Sequence, residues 1–204
     1  MTRLLYINAS PRSESASHHA AQIFLDALKN DVVTQRIDLF KIQLPEITNT
    51  ITNAKFKFVA GASLNQEEKQ QWDSVMNMVE ELKAADYYLM AVPMWNFSIP
   101  YKLKHYIDLV NHPGLTFTRD ETGPRGLANG SATVIFSRGG DYSPKDDQPD
   151  PFDFQSVYLK TWLGSIGISP VTEILIQNTI LGSDTLKAAL ESVTEKLQGL
   201  AKDL

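Results

Sequence analysis

Five short apolar segments alternate with longer amphipathic segments along this chain, and that alternation constrains the fold more than any other feature of the sequence. The apolar segments lack the polar alternation of a half-solvated strand, which predicts strands buried on both sides. They cover residues 3–8, 32–39, 86–92, 132–137 and 171–176. The amphipathic segments have helical spacing and cover residues 17–29, 65–85, 100–110, 154–166 and 186–201. The alternation predicts a parallel sheet with helices on both faces.

The chain is predicted to form a single domain over residues 1–204. Its length of 204 residues favours one domain, or at most two, and the sequence contains no internal repeat. Five strands without a sixth favour the flavodoxin-like strand order 2-1-3-4-5 over the dinucleotide-binding order. The predicted fold class is therefore α/β, a flavodoxin-like doubly wound five-stranded parallel sheet.

Two segments, 40–64 and 111–130, are long for connections in such a domain. Long connections in a compact domain are usually functional or make subunit contacts. The second segment contains several glycines, among them Gly123 and Gly126, together with Phe117. We expect it to form a short hairpin or a mobile flap over a binding site.

The composition argues against several classes of function. A net charge of −5 disfavours nucleic-acid binding, which needs a basic surface. The absence of cysteine rules out disulfides, thiolate metal sites and thiol nucleophiles. No segment approaches 18 apolar residues, and the N-terminus lacks the apolar stretch of a signal peptide, so we expect no membrane contact and a cytoplasmic location. The four histidines lack the spacing of metal ligands, so no metal site is expected.

A hydroxyl-rich loop follows the first strand, and residues 8–18 read N-A-S-P-R-S-E-S-A-S-H. A phosphate suits this position because N–H groups at the helix start point towards it and the helix dipole favours negative charge. Ser17 is the expected N-cap. A polar loop without a ligand is the alternative interpretation. Neither G-x-G-x-x-G nor G-x-x-x-x-G-K-[ST] is present, which disfavours a Rossmann dinucleotide site and a P-loop.

The third and fourth strands are followed by two further loops that suit a ligand. Residues 92–100 read V-P-M-W-N-F-S-I-P, and residues 137–141 read S-R-G-G-D. The first offers flat apolar rings and an amide, and the glycines of the second allow backbone N–H groups to approach a ligand. In the 2-1-3-4-5 order the strands before all three loops are neighbours, so the loops converge on one crevice. A flavin with a phosphate suits such a crevice.

Five carboxylates crowd the segment that follows the fourth strand, and we interpret them as a solvated acidic turn. They are Asp141, Asp146, Asp147, Asp150 and Asp153. No side chain is assigned as a general base or other catalytic group.

The sequence resembles the FMN-dependent NADH azoreductases, also called NADH:quinone oxidoreductases, over essentially its whole length. The resemblance rests on the serines of the first loop, on P-M-W-N-F-S-I-P, on G-L-T-F-T followed by G-P-R-G-L, on S-R-G-G, and on Y-L-K-T-W-L-G-S-I-G-I at residues 158–168. The P-M-W-N-F-S-I-P and S-R-G-G motifs in this order are specific as a pair. Trp95 stands where the family often has tyrosine, and Trp162 where phenylalanine is common.

The resemblance implies a role for each motif in binding FMN. Residues implied to hold the phosphate are Ser10, Ser15, Ala16 and Ser17. Residues implied to line the ribityl chain and the isoalloxazine ring are Met94, Trp95, Asn96 and Phe97. Residues implied to meet the pyrimidine edge of the ring are Ser137, Arg138, Gly139 and Gly140.

The resemblance also implies an activity and an assembly. NADH or NADPH would donate electrons, and quinones or aromatic azo compounds would accept them in a two-electron ping-pong reaction. The family forms homodimers with the flavin near the interface, so Phe117 and Trp162 are candidate walls of the substrate pocket, in the same chain or its partner. The protein core is the alternative position for Trp162, because this residue lies on the amphipathic helix predicted over residues 154–166.

Two other functions remain open from the sequence. One is a flavodoxin-type electron carrier, which would pass single electrons to protein partners. The other is a serine hydrolase, which is disfavoured because G-x-S-x-G is missing.

Overall fold

The computed structural model describes residues 1–121, 123–144 and 150–204. Five parallel strands form one sheet in the order β2-β1-β3-β6-β7. Their bounds are β1 Arg3–Asn8, β2 Val33–Asp38, β3 Tyr87–Pro93, β6 Ser131–Ser137 and β7 Val171–Ile176. Counted within this sheet, the order is 2-1-3-4-5, so the predicted fold class is confirmed.

Helices cover both faces of the sheet. Their bounds are α1 Ala16–Asp26, α2 Asn49–Val59, α3 Gln66–Lys83, α4 Tyr101–Val110, α5 Phe154–Ile166 and α6 Ser183–Lys202. Buried residues of α1 and α6 form one core cluster with the first face of the sheet. Buried residues of α3, α4 and α5 form the other cluster on the second face. Because both faces are covered, β3 is buried from Tyr87 to Val92.

The strand register brings the carboxyl ends of the central strands to one edge of the sheet. Asn8 of β1 is paired with Ala91 of β3, and Pro93 of β3 with Ser137 of β6. Ser137 is also paired with Ile176, the last residue of β7. The loops that follow these strands therefore leave the sheet side by side, where open α/β sheets bind their ligands.

Helix α3 begins with a capping box, in which Asn65 is the N-cap residue. Asn65 Oδ1 accepts a hydrogen bond from Glu68 N–H (2.9 Å), and Glu68 Oε2 accepts one from Asn65 N–H (2.9 Å). This capping box satisfies two N–H groups at the helix start. Lys57 Nζ lies 2.7 Å from Glu68 Oε1 and so joins α2 to α3.

Segment 40–64 contains a helix, α2, that the sequence did not predict. It begins after Thr48, whose side chain accepts a hydrogen bond from Ile51 N–H (3.3 Å). Only Ile51 and Ala54 are buried in α2. Its many threonine, asparagine, β-branched and aromatic residues are weak helix formers, so neither periodicity nor propensity marks it.

Segment 111–130 contains the short hairpin that was one of its two predicted structures. Its antiparallel strands are β4 (Phe117–Asp120) and β5 (Gly123–Gly126). The chain just after the hairpin is bonded to the end of α5, through Ala128 N–H and the Ile166 carbonyl (2.8 Å). Because α5 runs antiparallel to the strands, the hairpin lies near the amino ends of the strands.

Within the described ranges, no helix combines the length and the apolar character needed to span a bilayer.

Candidate active site

The loop after β1 is held against the sheet by its own polar groups. Asn8 accepts a hydrogen bond from Ser10 N–H (3.2 Å) and donates one to Asp38 Oδ1 at the end of β2 (2.7 Å). Ser10 Oγ accepts a hydrogen bond from Arg12 N–H (3.3 Å). These bonds fix the loop in front of α1.

The start of α1 presents amide and hydroxyl donors to this loop. Ser15 is the N-cap residue, so the prediction that Ser17 caps the helix is wrong. The Ser15 side chain makes no capping hydrogen bond, and its Oγ lies 3.0 Å from the buried Ser17 Oγ. The first N–H groups of a helix lack partners within the helix. Ser15, Ala16 and Ser17 therefore form a position that stabilises an anion.

The chain after β3 makes a tight two-residue turn with an unusual backbone. Trp95 and Ser98 exchange backbone hydrogen bonds of 2.9 and 3.0 Å. The two residues between them, Asn96 and Phe97, have φ angles of 47° and 69°. This is the geometry of a type I′ turn, which favours asparagine and glycine. A phenylalanine at positive φ is strained, and such strain concentrates at functional sites.

The turn displays two aromatic rings in different directions. Trp95 is 5.6 Å, ring centroid to ring centroid, from Phe40. Phe97 is 5.2 Å from Phe152, and its own side chain is 45% exposed. Met94 N–H donates to the Ser137 carbonyl (2.8 Å), which joins this turn to the loop after β6.

Arg138 is buried, and its side chain points away from the crevice. Its Nη2 lies 2.8 Å from Asp153 Oδ2, and its Nε donates to Gln155 Oε1 (3.0 Å). The guanidinium also lies over the rings of Phe136 and Tyr142, 5.7 and 5.9 Å from their centroids. Of the residues implied to meet the flavin edge, Arg138 can therefore contribute its backbone but not its charge.

Gly139 lies against the loop that follows β7. A Cβ on Gly139 would lie 3.3 Å from Ile180 Cγ2. The loop is held there because Thr179 N–H and Oγ1 both donate to the Arg138 carbonyl, at 3.1 and 3.0 Å. Sequence reasoning missed this fourth loop, although β7 borders β6 and its carboxyl end reaches the same edge.

These loops surround a surface pocket of about 270 Å³, called the crevice below. Predicted residues that line it are Ser10, Ser15, Ala16, Met94, Trp95, Ser137 and Gly139. Residues that line it without having been predicted include Pro93, Thr179 and Ile180. Asn96 lines a neighbouring pocket of about 430 Å³ that shares Trp95. Residues of the prediction that line neither pocket are Ser17, Phe97, Arg138 and Gly140.

The structure does not bring Phe117 or Trp162 to the crevice of the same chain. Phe117 begins β4, in the hairpin near the amino ends of the strands. Trp162 is 4% exposed and belongs to the core beneath α5, because its helical spacing turns it inwards. A role for either residue as a pocket wall stays a prediction that requires a second copy of the chain.

The interpretation of the acidic segment as a solvated turn is wrong for Asp153. Its carboxylate is the partner of buried Arg138, and it also accepts hydrogen bonds from Ser156 N–H (2.9 Å) and Oγ (2.6 Å). Burial alone would raise the pKa of Asp153, but the Ser156 hydrogen bonds and the Arg138 charge lower it below its usual value. Two other residues of the segment, Asp146 and Asp147, lie outside the described residues.

Among residues 1–121, 123–144 and 150–204, no three histidine or acidic side chains are placed together to hold a metal ion.

Comparison with known proteins identifies relatives along the whole chain. A family model described as flavodoxin-like fold matches residues 2–200. FMN-dependent NADH:quinone oxidoreductase 3 of Pseudomonas fluorescens is 40% identical over 211 residues, covering 100% of this chain and 98% of the relative. FMN-dependent NADH:quinone oxidoreductase of Desulfotalea psychrophila is 38% identical over 210 residues, with 100% and 98% covered. The crystal structure of an FMN-dependent NADH-azoreductase from Bacillus anthracis in complex with FMN has a TM-score of 0.86 at 29% identity, with 99% and 100% covered.

Proposed function

The chain belongs to the flavodoxin-like family of FMN-dependent NADH:quinone oxidoreductases, and from that premise we propose that its crevice binds FMN and serves the reduction of quinones and aromatic azo compounds. The observation that carries the proposal is the meeting of three loops at one pocket. They bring an anion-binding helix start, an aromatic turn and a glycine loop together. An elongated ligand with a phosphate at one end and a flat polar-edged ring at the other fits this arrangement.

The first loop and the start of α1 would hold the phosphate of FMN. Ser10 and Ser15 offer hydroxyl groups, and the first turn of α1 offers unpaired N–H groups. The buried Ser17 hydroxyl would act through its 3.0 Å contact with Ser15 Oγ. Backbone and hydroxyl donors of this kind bind phosphate without a dedicated basic side chain. The net charge of −5 is therefore compatible with a phosphorylated cofactor.

The turn after β3 and the glycine loop after β6 would hold the ring. Met94, Trp95, Asn96 and Phe97 would provide apolar surface and an amide along the ring and ribityl chain. The backbone N–H groups of Gly139 and Gly140 would donate to the polar edge of the ring, because a glycine backbone can approach a ligand closely.

Bound FMN would supply the redox chemistry, which is the transfer of two electrons, as hydride, between NADH and the acceptor. The chain contributes binding, orientation and exclusion of water, and no side chain is needed as a general base. Donor and acceptor would use the same face of the crevice in turn. That order predicts ping-pong kinetics, with parallel double-reciprocal lines. A quinone would leave as the hydroquinone after one two-electron turnover, whereas cleavage of an azo compound to two amines would take four electrons, that is, two turnovers and two molecules of NADH.

We further propose that the chain acts as a homodimer with the flavin near the interface. Trp95 lines the crevice, and its ring lies 6.2 Å from that of Tyr101. Exposed aromatic side chains of the turn after β3 and of the starts of α4 and α5 are Trp95, Phe97, Tyr101, Phe152 and Phe154. A second copy would cover such a patch. In such a dimer the hairpin that carries Phe117 would lie beside the crevice of the partner chain, although it lies far from the crevice of its own chain.

One anaerobic experiment tests the proposed function. The protein is loaded with FMN and assayed with NADH and with NADPH, against a quinone and an azo dye. We expect FMN to bind and NADH to drive reduction of both acceptors. A Ser15→Ala/Ser17→Ala variant should bind FMN more weakly, whereas Ser192→Ala, on the exposed face of α6, should not.

Three results would contradict the proposal. The first is a wild-type protein that takes up no flavin. The second is a flavin-loaded protein that passes single electrons to protein carriers and leaves quinones and azo dyes unreduced, as a flavodoxin-type carrier would. Intersecting double-reciprocal lines would overturn the shared site for donor and acceptor.

A further inference from the structure

A buried amide joins the two loops that would face the flavin ring. Gln155, the second residue of α5, is fully buried. Its Nε2 donates to the Val92 carbonyl (2.9 Å), two residues before Met94. Its Oε1 accepts from Arg138 Nε (3.0 Å), just after β6. One side chain therefore connects the backbone that enters the aromatic turn with the arginine of the glycine loop.

Only an amide satisfies both partners of Gln155 at once. A guanidinium can only donate and a backbone carbonyl can only accept, so the orientation of the amide is fixed by its neighbours. A glutamate would still accept from Arg138, but an ionised carboxylate has no donor for the Val92 carbonyl. A methionine of similar size would satisfy neither partner.

The same amide is part of a buried network, the Arg138 network, which consists of Arg138, Asp153, Gln155 and Ser156. Arg138 pairs with Asp153 at 2.8 Å, and Ser156 donates to Asp153 twice. A buried charge is tolerated only when its pairing and hydrogen bonds are nearly complete, so the members of such a network hold one geometry.

The network also reaches the fourth loop of the crevice. The Arg138 carbonyl accepts both hydrogen bonds from Thr179, and Ile180 lies against Gly139. The Arg138 network therefore contacts three segments of the crevice wall. They are the end of β3, the glycine loop and the loop that carries Ile180. Loss of Gln155 would remove the side-chain link between the Val92 carbonyl and the Arg138 guanidinium, and it would leave the Met94–Ser137 backbone bond as a link between the two loops. It would remove no group that lines the crevice.

We propose that Gln155 is a positioning residue that sets the spacing between the turn after β3 and the glycine loop, and through it the binding and redox properties of FMN. This inference rests on the proposed function of the crevice. A catalytic site needs its surrounding groups held within about 0.5 Å of the productive geometry. Hydrogen bonds from backbone amides to a charged ring edge depend on that spacing, since they weaken steeply with distance and angle.

The test compares Gln155→Glu and Gln155→Met with a destabilised control on the same helix. Leu163→Ala removes a buried core side chain of α5 that is away from the loops, so it lowers thermal stability without touching the Arg138 network. For each protein we would measure the melting temperature of the apoprotein, the FMN dissociation constant, the visible spectrum of bound FMN and its two-electron midpoint potential.

We expect both Gln155 variants to bind FMN at least tenfold more weakly, with a changed visible spectrum and a shifted potential. Leu163→Ala should melt at a lower temperature but keep the wild-type dissociation constant, spectrum and potential. Equal effects in all three variants, or unchanged flavin properties in the Gln155 variants, would overturn the proposal. If Gln155→Met does not fold, Gln155→Glu alone tests the proposal, because glutamate has the size of glutamine and keeps the hydrogen bond to Arg138. A wild-type protein without FMN affinity would refute the proposed function instead.

Discussion

The backbone of Asn96 and Phe97 is the clearest sign of a functional constraint on individual residues. Asparagine tolerates positive φ, but phenylalanine adopts it at a cost of roughly 1–2 kcal/mol. The Phe97 ring gains little burial in return, since it is 45% exposed. The presence of phenylalanine at this position is therefore better explained by a contact that its ring makes in a complex than by a contribution to the stability of the chain.

Substitutions at Phe97 should show this strain directly. Glycine adopts positive φ freely, so Phe97→Gly should be about 1 kcal/mol more stable than Phe97→Ala. That order is the reverse of the one expected at ordinary backbone angles. Urea unfolding of the two variants measures the difference. Both should lose FMN affinity, and an alanine variant as stable as the glycine variant would show that the turn is not strained.

His112 should make stability depend on pH in a defined range. Burial, and then the charge of Lys55, lower the pKa of His112 from 6.5 to about 4, while a backbone hydrogen bond at Leu109 acts in the opposite direction. The unfolded chain thus binds a proton near pH 6.5 that the folded chain takes up only near pH 4. The free energy of unfolding is therefore undiminished by this group above pH 6.5. It falls as the pH is lowered towards 4, by up to about 1.4 kcal/mol per pH unit.

The variant His112→Gln removes this titration, so its stability should change less than that of the wild type between pH 7 and pH 5. Urea unfolding at pH 7, 6 and 5 provides the comparison. His19→Gln, on the partly exposed surface of α1, serves as the control and should keep the wild-type dependence. A His112→Gln variant that loses stability as steeply as the wild type would contradict the assignment.

Among the elements, the predicted α5 and β7 have the observed bounds, whereas α2 escaped prediction. The inner strands β1, β3 and β6 were predictable because a sheet covered on both faces demands continuous apolar runs. The expectation that every strand is buried on both sides is wrong for β2, which is mostly exposed because it lies at the edge of the sheet. The helix α2 buries only two residues, so its sequence carries almost no periodicity. Contacts with α3 hold α2 in place, among them the Lys57–Glu68 ion pair and the Phe58–Trp72 ring contact, and no local sequence pattern reports contacts of this kind.

The sequence pattern predicted which loops form the candidate site, but it did not predict the directions in which their side chains point. The strand order brought Ser15, Trp95 and Gly139 to one crevice, as expected. Arg138 belongs to the same motif as Gly139, yet it turns inwards to meet Asp153, a residue that the sequence pattern placed in a solvated turn. Buried polar networks pair residues across elements, so a single sequence cannot reveal them.

The contact between the hairpin and α5 depends on two glycines that meet backbone to backbone. A Cβ on Gly126 would overlap the backbone of Ile166 and Gly167. Gly126→Ala should therefore push the hairpin away from the end of α5 and destabilise the chain by roughly 1–3 kcal/mol. Thermal or urea unfolding measures the loss.

The control for this change is Gly199→Ala in α6, where an added Cβ meets open space. Alanine in a helix interior should be neutral or stabilise the chain by about 0.5–1 kcal/mol. Wild-type stability in the Gly126→Ala variant would mean that the hairpin is not docked on α5 in solution.

In the whole molecule, the exposed aromatic side chains of the turn after β3 and of the starts of α4 and α5 lie near the carboxyl end of the sheet. Tyr101 begins α4 and Phe154 begins α5, both on the face opposite α1 and α6. The hairpin with Phe117 lies at the other end of the same layer. A two-fold arrangement of two chains would bring each aromatic patch under the other chain's hairpin, because an isologous interface pairs a surface with itself.

A charge in the aromatic patch should therefore separate the two chains. Tyr101→Glu places a carboxylate among Phe40 and Trp95, where burial against a second chain would be costly. Sedimentation velocity at micromolar concentrations should give a dimer for the wild type and a shift towards monomer for the variant. Ser192→Glu adds the same charge on the exposed face of α6 and should remain dimeric. A wild-type protein that sediments as a monomer at all concentrations, with FMN bound, would refute the dimer and with it the role of Phe117 in a partner's pocket.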